Sequence, residues 1–470
     1  MTPTSMLTAD ELRVAVDGGE IDTVVLALVD MQGRLQGKRF HAPYFLDEVI
    51  GHGSEGCNYL LAVDVDMNTV DGYAMSSGQR GYGALTMVPD LGTLRRVPWQ
   101  PGTAIAIADL AWPDGSGPVA ASPRQILRRQ LDRLARHGLT AFVGTELEFV
   151  LFRDSYEDAW RHGYRDLTPA NLYNVDYSLL GTARVEPLLR RIRNEMAGAG
   201  LLPESAKGEC NLGQHEITFR YADALACADN HAIYKNGAKE IAAQEGMAIT
   251  FMAKPNSREG NSCHIHFSLR TDGGAPAMPG DGPRHLSVTG QRVLAGLLAT
   301  MREFSLFFAP NINSYKRYQA GSFAPTALRW GTDNRTCALR LVGLSSGGPG
   351  RAGHPGGGAG AGLRVENRVP GADVNPYLAI AAMVAGAIHG IEQELELEDE
   401  YIGNAYTDGS APRVPATLRE ALARWEESTA ARNAFGDDVV AHYANSARVE
   451  LAAFDAAVTD WELFRGFERL

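Results

Sequence analysis

Residues 144–150 read GTELEFV, a short apolar strand that carries two carboxylates, Glu146 and Glu148. Side chains in a strand alternate faces with period two, so both carboxylates point to one side. Three further segments repeat the pattern. GECNLGQHEITFRY carries Glu209 and Glu216, NSCHIHFSL carries His264 and His266, and LRVENRV carries Arg364, Glu366 and Arg368. NSYKRYQAGSFAP adds Arg317, and NRTCALRLVG adds Arg335 and Arg340. Taken singly, each is explained by a solvated edge strand, a satisfied core histidine or a surface Arg–Glu ladder worth at most about 1 kcal/mol. Four such strands, apolar on their other face, predict a sheet packed by helices on one side and lining a site on the other.

Electrostatics narrows what such a site holds. Two carboxylates about 4 Å apart repel by roughly 4 kcal/mol at an effective dielectric of 20. Five of them in one pocket must be protonated, paired with arginine or bound to cations. Five carboxylates and an imidazole form an oxygen-rich set that favours Mg²⁺ or Mn²⁺ over zinc or copper. Two such ions with three protein ligands each use all six groups. The arginines suit phosphate or carboxylate partners. Hard cations beside arginines are the toolkit of phosphoryl transfer from a nucleotide. No GxxxxGK[ST] or GxGxxG motif stands between a strand and a helix, which excludes P-loop and Rossmann readings.

The elements that must position these residues follow from periodicity. Strands are predicted over 139–152, 209–220, 248–253, 263–269, 337–342 and 363–369, and helices over 183–199, 230–245, 287–306, 375–393 and 416–431. Before them the chain is β-rich. TVVLALVD, the turn MQGR and LQGKRF form a hairpin, and NYLLAVDVDM and TAIAIADLAW read as further strands. After the small-residue linker PDGSGPVAAS, Ser122 and Pro123 read as N-cap and first residue of the helix RQILRRQLDRLARHG. The domain boundary is placed near residue 115, giving domains 1–115 and 116–470. Half of residues 343–362 are glycine, and that stretch reads as a loop or flap.

Composition bounds the rest. The 470 residues are 21% charged and 45% hydrophobic, ordinary for a globular chain. The net charge of −12 argues against non-specific nucleic-acid binding. No apolar run is long enough to span a membrane, and the first residues lack the pattern of a signal peptide. Five scattered cysteines suit reduced thiols. A cytoplasmic enzyme with no membrane or nucleic-acid partner is expected.

The ordered motifs ELE, E-x₆-E ending GQHE, FMAKP with HIH, NSYKR, NR-x₄-R, R-x-E-x-R and NPYLA resemble the glutamine synthetase family over nearly the whole chain. The resemblance implies an α+β protein. It has an N-terminal β-grasp domain and a larger C-terminal catalytic α/β domain whose curved antiparallel sheet lines the active site. It also implies a dodecamer of two hexamers with active sites between neighbouring subunits. Carried over by motif, Glu148, Glu209 and Glu216 match the ligands of one Mg²⁺ or Mn²⁺. Glu146, His264 and Glu366 match those of a second ion beside the ATP phosphates. Arg317 and Arg368 match glutamate-binding arginines, and Gly260 a backbone position near the substrate. Arg335, Arg340 and Arg364 match residues around the transferred phosphate. Glu204, His266 and Ser268 fall where the family holds ATP. The implied chemistry is phosphorylation of the γ-carboxylate of glutamate, then attack by an amine.

Departures refine this. Glutamine synthetases carry a Glu in a GYEAP-like loop that helps bind ammonium; here the loop is GSFAP and Phe323 takes that position. A phenyl ring accepts no proton but packs against a carbon chain or offers a cation–π face. The pattern resembles the branch that makes γ-glutamylpolyamines and γ-glutamylethanolamide. The expected substrates are therefore glutamate and an amine other than ammonia. The alternatives are a true glutamine synthetase using ammonium and a non-catalytic assembly protein. Asp64, Asp66 and Asp71 all remain open as counterparts of the family's N-terminal ammonium-binding Asp. Glu259 stands where an Asn is usual, Leu212 where a Pro is usual, and no nucleotide-contacting lysine is evident in the glycine-rich stretch. NAYTDG differs from the family's adenylylation motif, so no such regulation is expected at Tyr406.

Overall fold

The computed structural model describes residues 6–343 and 362–470. The glycine-rich stretch lies outside the described residues apart from its two ends. A first sheet is built from β1 (Thr23–Val29), β2 (Leu35–His41), β3 (Ser54–Cys57), β4 (Ala84–Arg96) and β5 (Thr103–Ala111), in the order β2-β1-β5-β4-β3. The expected hairpin is present. Its turn is set by the buried Asp30, whose carboxylate accepts the backbone N–H groups of Gln32 and Arg34 and the Arg34 Nε–H. NYLLAVDVDM is not a strand. Residues Asn58–Leu61 form a 3₁₀ turn, Asn58 bonds Met75 and Ser76, and Asp64 caps a second turn at Asn68. These side chain–backbone bonds compete with a ladder and win.

A second sheet holds β6 (Leu139–Phe152), β7 (Pro203–Gly208), β8 (Gln214–Phe219), β9 (Ala222–Asp223), β10 (Ala248–Thr250), β11 (Cys263–Thr271), β12 (Trp330–Thr332), β13 (Leu339–Val342) and β14 (Arg364–Asn367). Its main order is β12-β13-β14-β11-β6-β8-β7. Residues 209–220 are not one strand. β7 and β8 form an antiparallel hairpin, and Glu209 lies just past the end of β7. Gly213 makes the turn: its φ is +69°, and a Cβ there would stand 2.5 Å from the Leu151 carbonyl oxygen.

One face of this sheet is the core. Val143, Leu147, Phe149 and Leu151 of β6 and Cys263, Ile265 and Phe267 of β11 are buried in the main apolar cluster. The helices Pro123–Ala135 and Ala224–Gln244 contact β6 on this side, and Pro376–Glu392 packs on both of them. The predicted helix 416–431 breaks at Ser428, whose hydroxyl caps a second helix, Thr429–Phe435. The C-terminal helices Asp437–Ala456 and Asp460–Gly466 were not foreseen. Among the described residues no helix is long and apolar enough to cross a membrane.

Two polar devices fix the first sheet on the second. Asn375 caps the helix Pro376–Glu392 through its side-chain oxygen, while its amide donates to the carbonyls of Asp30 and Met31. Arg124, buried at the start of its helix, pairs with Asp90 and Asp109 of the first sheet and with Asp229. Tyr377 donates its hydroxyl to Asp229 at 2.6 Å.

Candidate active site

The polar face of the second sheet lines a cavity of about 1600 Å³. Period two does the sorting. From β6 come Phe142, Gly144, Glu146 and Glu148, from β8 Glu216 and Thr218, and from β11 His264, His266 and Ser268. Strand register then makes neighbours of residues far apart in sequence. Glu146 stands opposite His264, and Glu148 opposite Glu216. Glu366 stands opposite both His266 and Arg340, and Lys207 opposite Glu216.

Two halves of the site differ in charge balance. In one, Glu146 accepts from His266 Nε2 at 2.8 Å and faces His264 Nδ1 at 3.3 Å. Arg364 Nε donates to His266 Nδ1 at 3.0 Å, which leaves the His266 proton on Nε2, directed at Glu146. Glu366 pairs with Arg340 at 2.9 Å, with Arg368, and with His264 Nδ1 at 3.5 Å. Burial opposes the charge on Glu146 and Glu366. The flanking imidazoles, and for Glu366 also Arg368, nevertheless hold both below the usual carboxylate range. His264 is pushed down to about 4 by burial and by Arg368. It is a neutral ring, and its buried Nε2 has no partner among the described residues.

The other half is short of positive charge. Glu148 is pushed up to about 7 by burial and by Glu209, although it accepts from the Ser262 N–H at 2.7 Å and from Gln214 at 3.1 Å. Glu216 is raised well above its usual range by burial, Glu146 and Glu148. Glu209 is raised by burial, with Lys207 opposing. Oxygens of Glu148, Glu209 and Glu216 lie within 4.8 Å of one another, as do ligand atoms of Glu146, His266 and Glu366. Three converging buried carboxylates, each with its affinity for a proton raised, and an imidazole with an orphaned nitrogen fit hard divalent cations.

The remaining sequence-predicted residues divide. Glu204, Gly260, Phe323, Arg335, Arg340, Arg364 and Arg368 all line the cavity. Gly260 admits no side chain, since a Cβ would stand 2.4 Å from the Ala253 carbonyl oxygen. Phe323 is 58% exposed, with φ +60°, at the rim. Arg317 is placed elsewhere. It is buried beneath the lining, donating to the carbonyls of Arg368 and Val369 and to Ser262 Oγ. Asp64, Asp66 and Asp71 do not line this cavity, whose walls among the described residues come from the span 142–368. Sequence reading missed Asp176, Tyr177, Lys207, Cys210 and Ser262, which do line it. Lys207 carried a signal, two positions before Glu209. Tyr177 lies in an irregular segment and carried none.

Carboxylates suited to hard cations, beside arginines suited to polyanions, are the makings of a phosphoryl-transfer centre. The chain belongs to the glutamine synthetase family: residues 120–465 match the glutamine synthetase catalytic domain. It is 67% identical over 467 residues to a gamma-glutamylethanolamide synthetase of Streptomyces coelicolor, covering 99% of this chain and 97% of the relative. A glutamate–isopropylamine ligase of a Pseudomonas species is 37% identical, with 97% of each chain covered. The solved structure of a GmaS–ADP complex matches with a TM-score of 0.82 at 26% identity, covering 97% of this chain and 99% of that one.

Proposed function

We propose that the protein is an ATP-dependent glutamate–amine ligase whose acceptor is ethanolamine rather than ammonia. A γ-carboxylate oxygen of L-glutamate attacks the γ-phosphorus of ATP and ADP leaves. The amine nitrogen then attacks the acyl carbon of the γ-glutamyl phosphate, inorganic phosphate leaves, and the nitrogen loses a proton. Phe323 carries the choice of acceptor: a phenyl ring stands at the cavity rim where ammonium users hold a carboxylate. The relatives that join glutamate to ethanolamine and to isopropylamine support the same reading. Polyamines are the next acceptors to test.

Glu148, Glu209 and Glu216 hold one Mg²⁺ or Mn²⁺, and Glu146, His264 and Glu366 a second. Bound there, such ions neutralise charge on the ATP phosphates and on the phosphoryl group in transfer. Arg335, Arg340 and Arg364 stabilise the transferred group from the β13–β14 side of the sheet, beside Glu366. Arg368 binds glutamate, with Arg317 behind it fixing its backbone. Gly260 lets the chain approach the substrate. Glu204, His266 and Ser268 hold the nucleotide. The chain acts in the cytoplasm as a dodecamer of two hexamers.

Phosphate release from ATP with glutamate and Mg²⁺, measured across ammonium, ethanolamine, putrescine, spermidine and isopropylamine with mass spectrometry of products, tests this. Turnover with ethanolamine and little with ammonium is expected. Turnover with ammonium alone would leave an ordinary glutamine synthetase. No turnover despite bound metal would point to an assembly protein.

A further inference from the structure

Among the described residues, Lys207 is the one cationic side chain within ion-pair distance of Glu148, Glu209 or Glu216. Its Nζ contacts Glu209 Oε1, lies 3.9 Å from Asp176 Oδ1 and sits 4.8 Å above the centre of the Tyr177 ring. Register explains the position. Lys207 on β7 faces Glu216 on β8, which faces Glu148 on β6. The ammonium thus rests on an oxygen that a hard cation would take. A second seat is ready beside it, formed by a carboxylate and an aromatic face at the cavity edge. Tyr177 has its side chain open to the cavity.

Resting on the reading that these three carboxylates hold a divalent ion, we propose that Lys207 is their resident counter-cation. It competes with the divalent ion for Glu209 and, once displaced, sits between Asp176 and the Tyr177 ring. An ammonium and a doubly charged ion on one partly buried carboxylate repel each other. The lysine stem has four rotatable bonds, so a short swing exchanges one seat for the other. Cation–π attraction and the Asp176 charge hold the ammonium there. Lys207 is a positioning residue on this account. It keeps the acidic set paired before loading, raises the cation concentration needed to load it, and afterwards orders the Asp176–Tyr177 segment at the cavity edge.

Calorimetric titration of Mn²⁺ into the full-length, metal-free protein tests this without reference to any amine. Lys207→Met should bind about tenfold tighter than wild type, and Lys207→Arg should stay within about threefold. Tyr177→Leu should bind about three- to tenfold weaker, because the displaced ammonium loses its seat, while Tyr177→Phe keeps the ring and the affinity. In a Lys207→Met background Tyr177→Leu should have no effect. Unchanged or weaker binding by Lys207→Met would overturn the proposal, as would an equal effect of Tyr177→Leu in both backgrounds. The Tyr177 arm decides the matter if Lys207→Met fails to fold. Absence of Mn²⁺ binding in every protein, wild type included, would overturn the cation reading and the proposal with it.

Discussion

Removing the charge of Glu148 should stabilise the metal-free protein and weaken its response to metal. The Glu148 carboxyl stands at about 7 in the fold against an ordinary 4.5. Between those values the folded chain holds a proton that the unfolded chain has released. Metal-free stability therefore falls as pH rises through that window, and is flat above it. The difference corresponds to about 3 kcal/mol at pH 8. Glu148→Gln keeps an acceptor oxygen for the Ser262 N–H, bonded at 2.7 Å in the parent, but leaves one amide orientation to be resolved against Gln214. A net gain of about 1–3 kcal/mol is the expectation. With about 2.1 cal/mol/K of unfolding entropy per residue over 470 residues, that is about 1–3 °C in Tm. The gain should shrink as pH falls through this window and vanish only below 4.5, once both states are protonated. Saturating Mn²⁺ should raise the wild-type Tm by a similar amount, since a ligand at 100 times its Kd adds about 2.7 kcal/mol. In Glu148→Gln that metal shift should shrink by the share of the Glu148–Glu209–Glu216 site. Scanning calorimetry in EDTA and in Mn²⁺, at one protein concentration and at pH 5 and 8, checks both signs. A variant less stable than wild type in EDTA at pH 8, with an undiminished Mn²⁺ shift, would refute the reasoning.

Phe323→Glu should restore a charged partner for ammonium. The ratio of kcat/KM for ammonium to that for ethanolamine should rise by about tenfold or more, measured by phosphate release. Arg340→Ala removes one of the pairs on Glu366 and a group assigned to the transferred phosphate. It should lower kcat by about 10²–10³ with little change in KM for the amine, read in steady-state kinetics. Arg124→Met takes the ion pair from buried Asp229, which keeps the Tyr377 hydroxyl, and leaves Asp90 and Asp109 to Arg128. It should cost about 3–5 kcal/mol, seen as a loss of Tm at neutral pH in scanning calorimetry.

The amino-acid order by itself determined which residues share a face. Period-two spacing put Glu146 with Glu148, His264 with His266, and Glu366 with Arg368, and the structure lines one cavity with all of them. It also marked the hairpin at Asp30 and the helix beginning at Pro123, because turn and cap chemistry is local. Local pattern failed where side chains bond the backbone, as at Asn58 and Asp64, and where the turn at Gly213 split the stretch 209–220 that reads as one strand. Which carboxylate meets which partner was beyond it. That depends on the register between β6, β8, β11 and β14, strands separated by tens to hundreds of residues. Only tertiary structure set Glu148 against Glu216 with no arginine between them, gave Glu366 two arginines, sank Arg317 beneath the lining and placed Lys207 on Glu209. Spacing along a strand is settled by backbone geometry, but charge balance in a pocket depends on burial and on neighbours from other strands, and these exist only once the sheet is assembled.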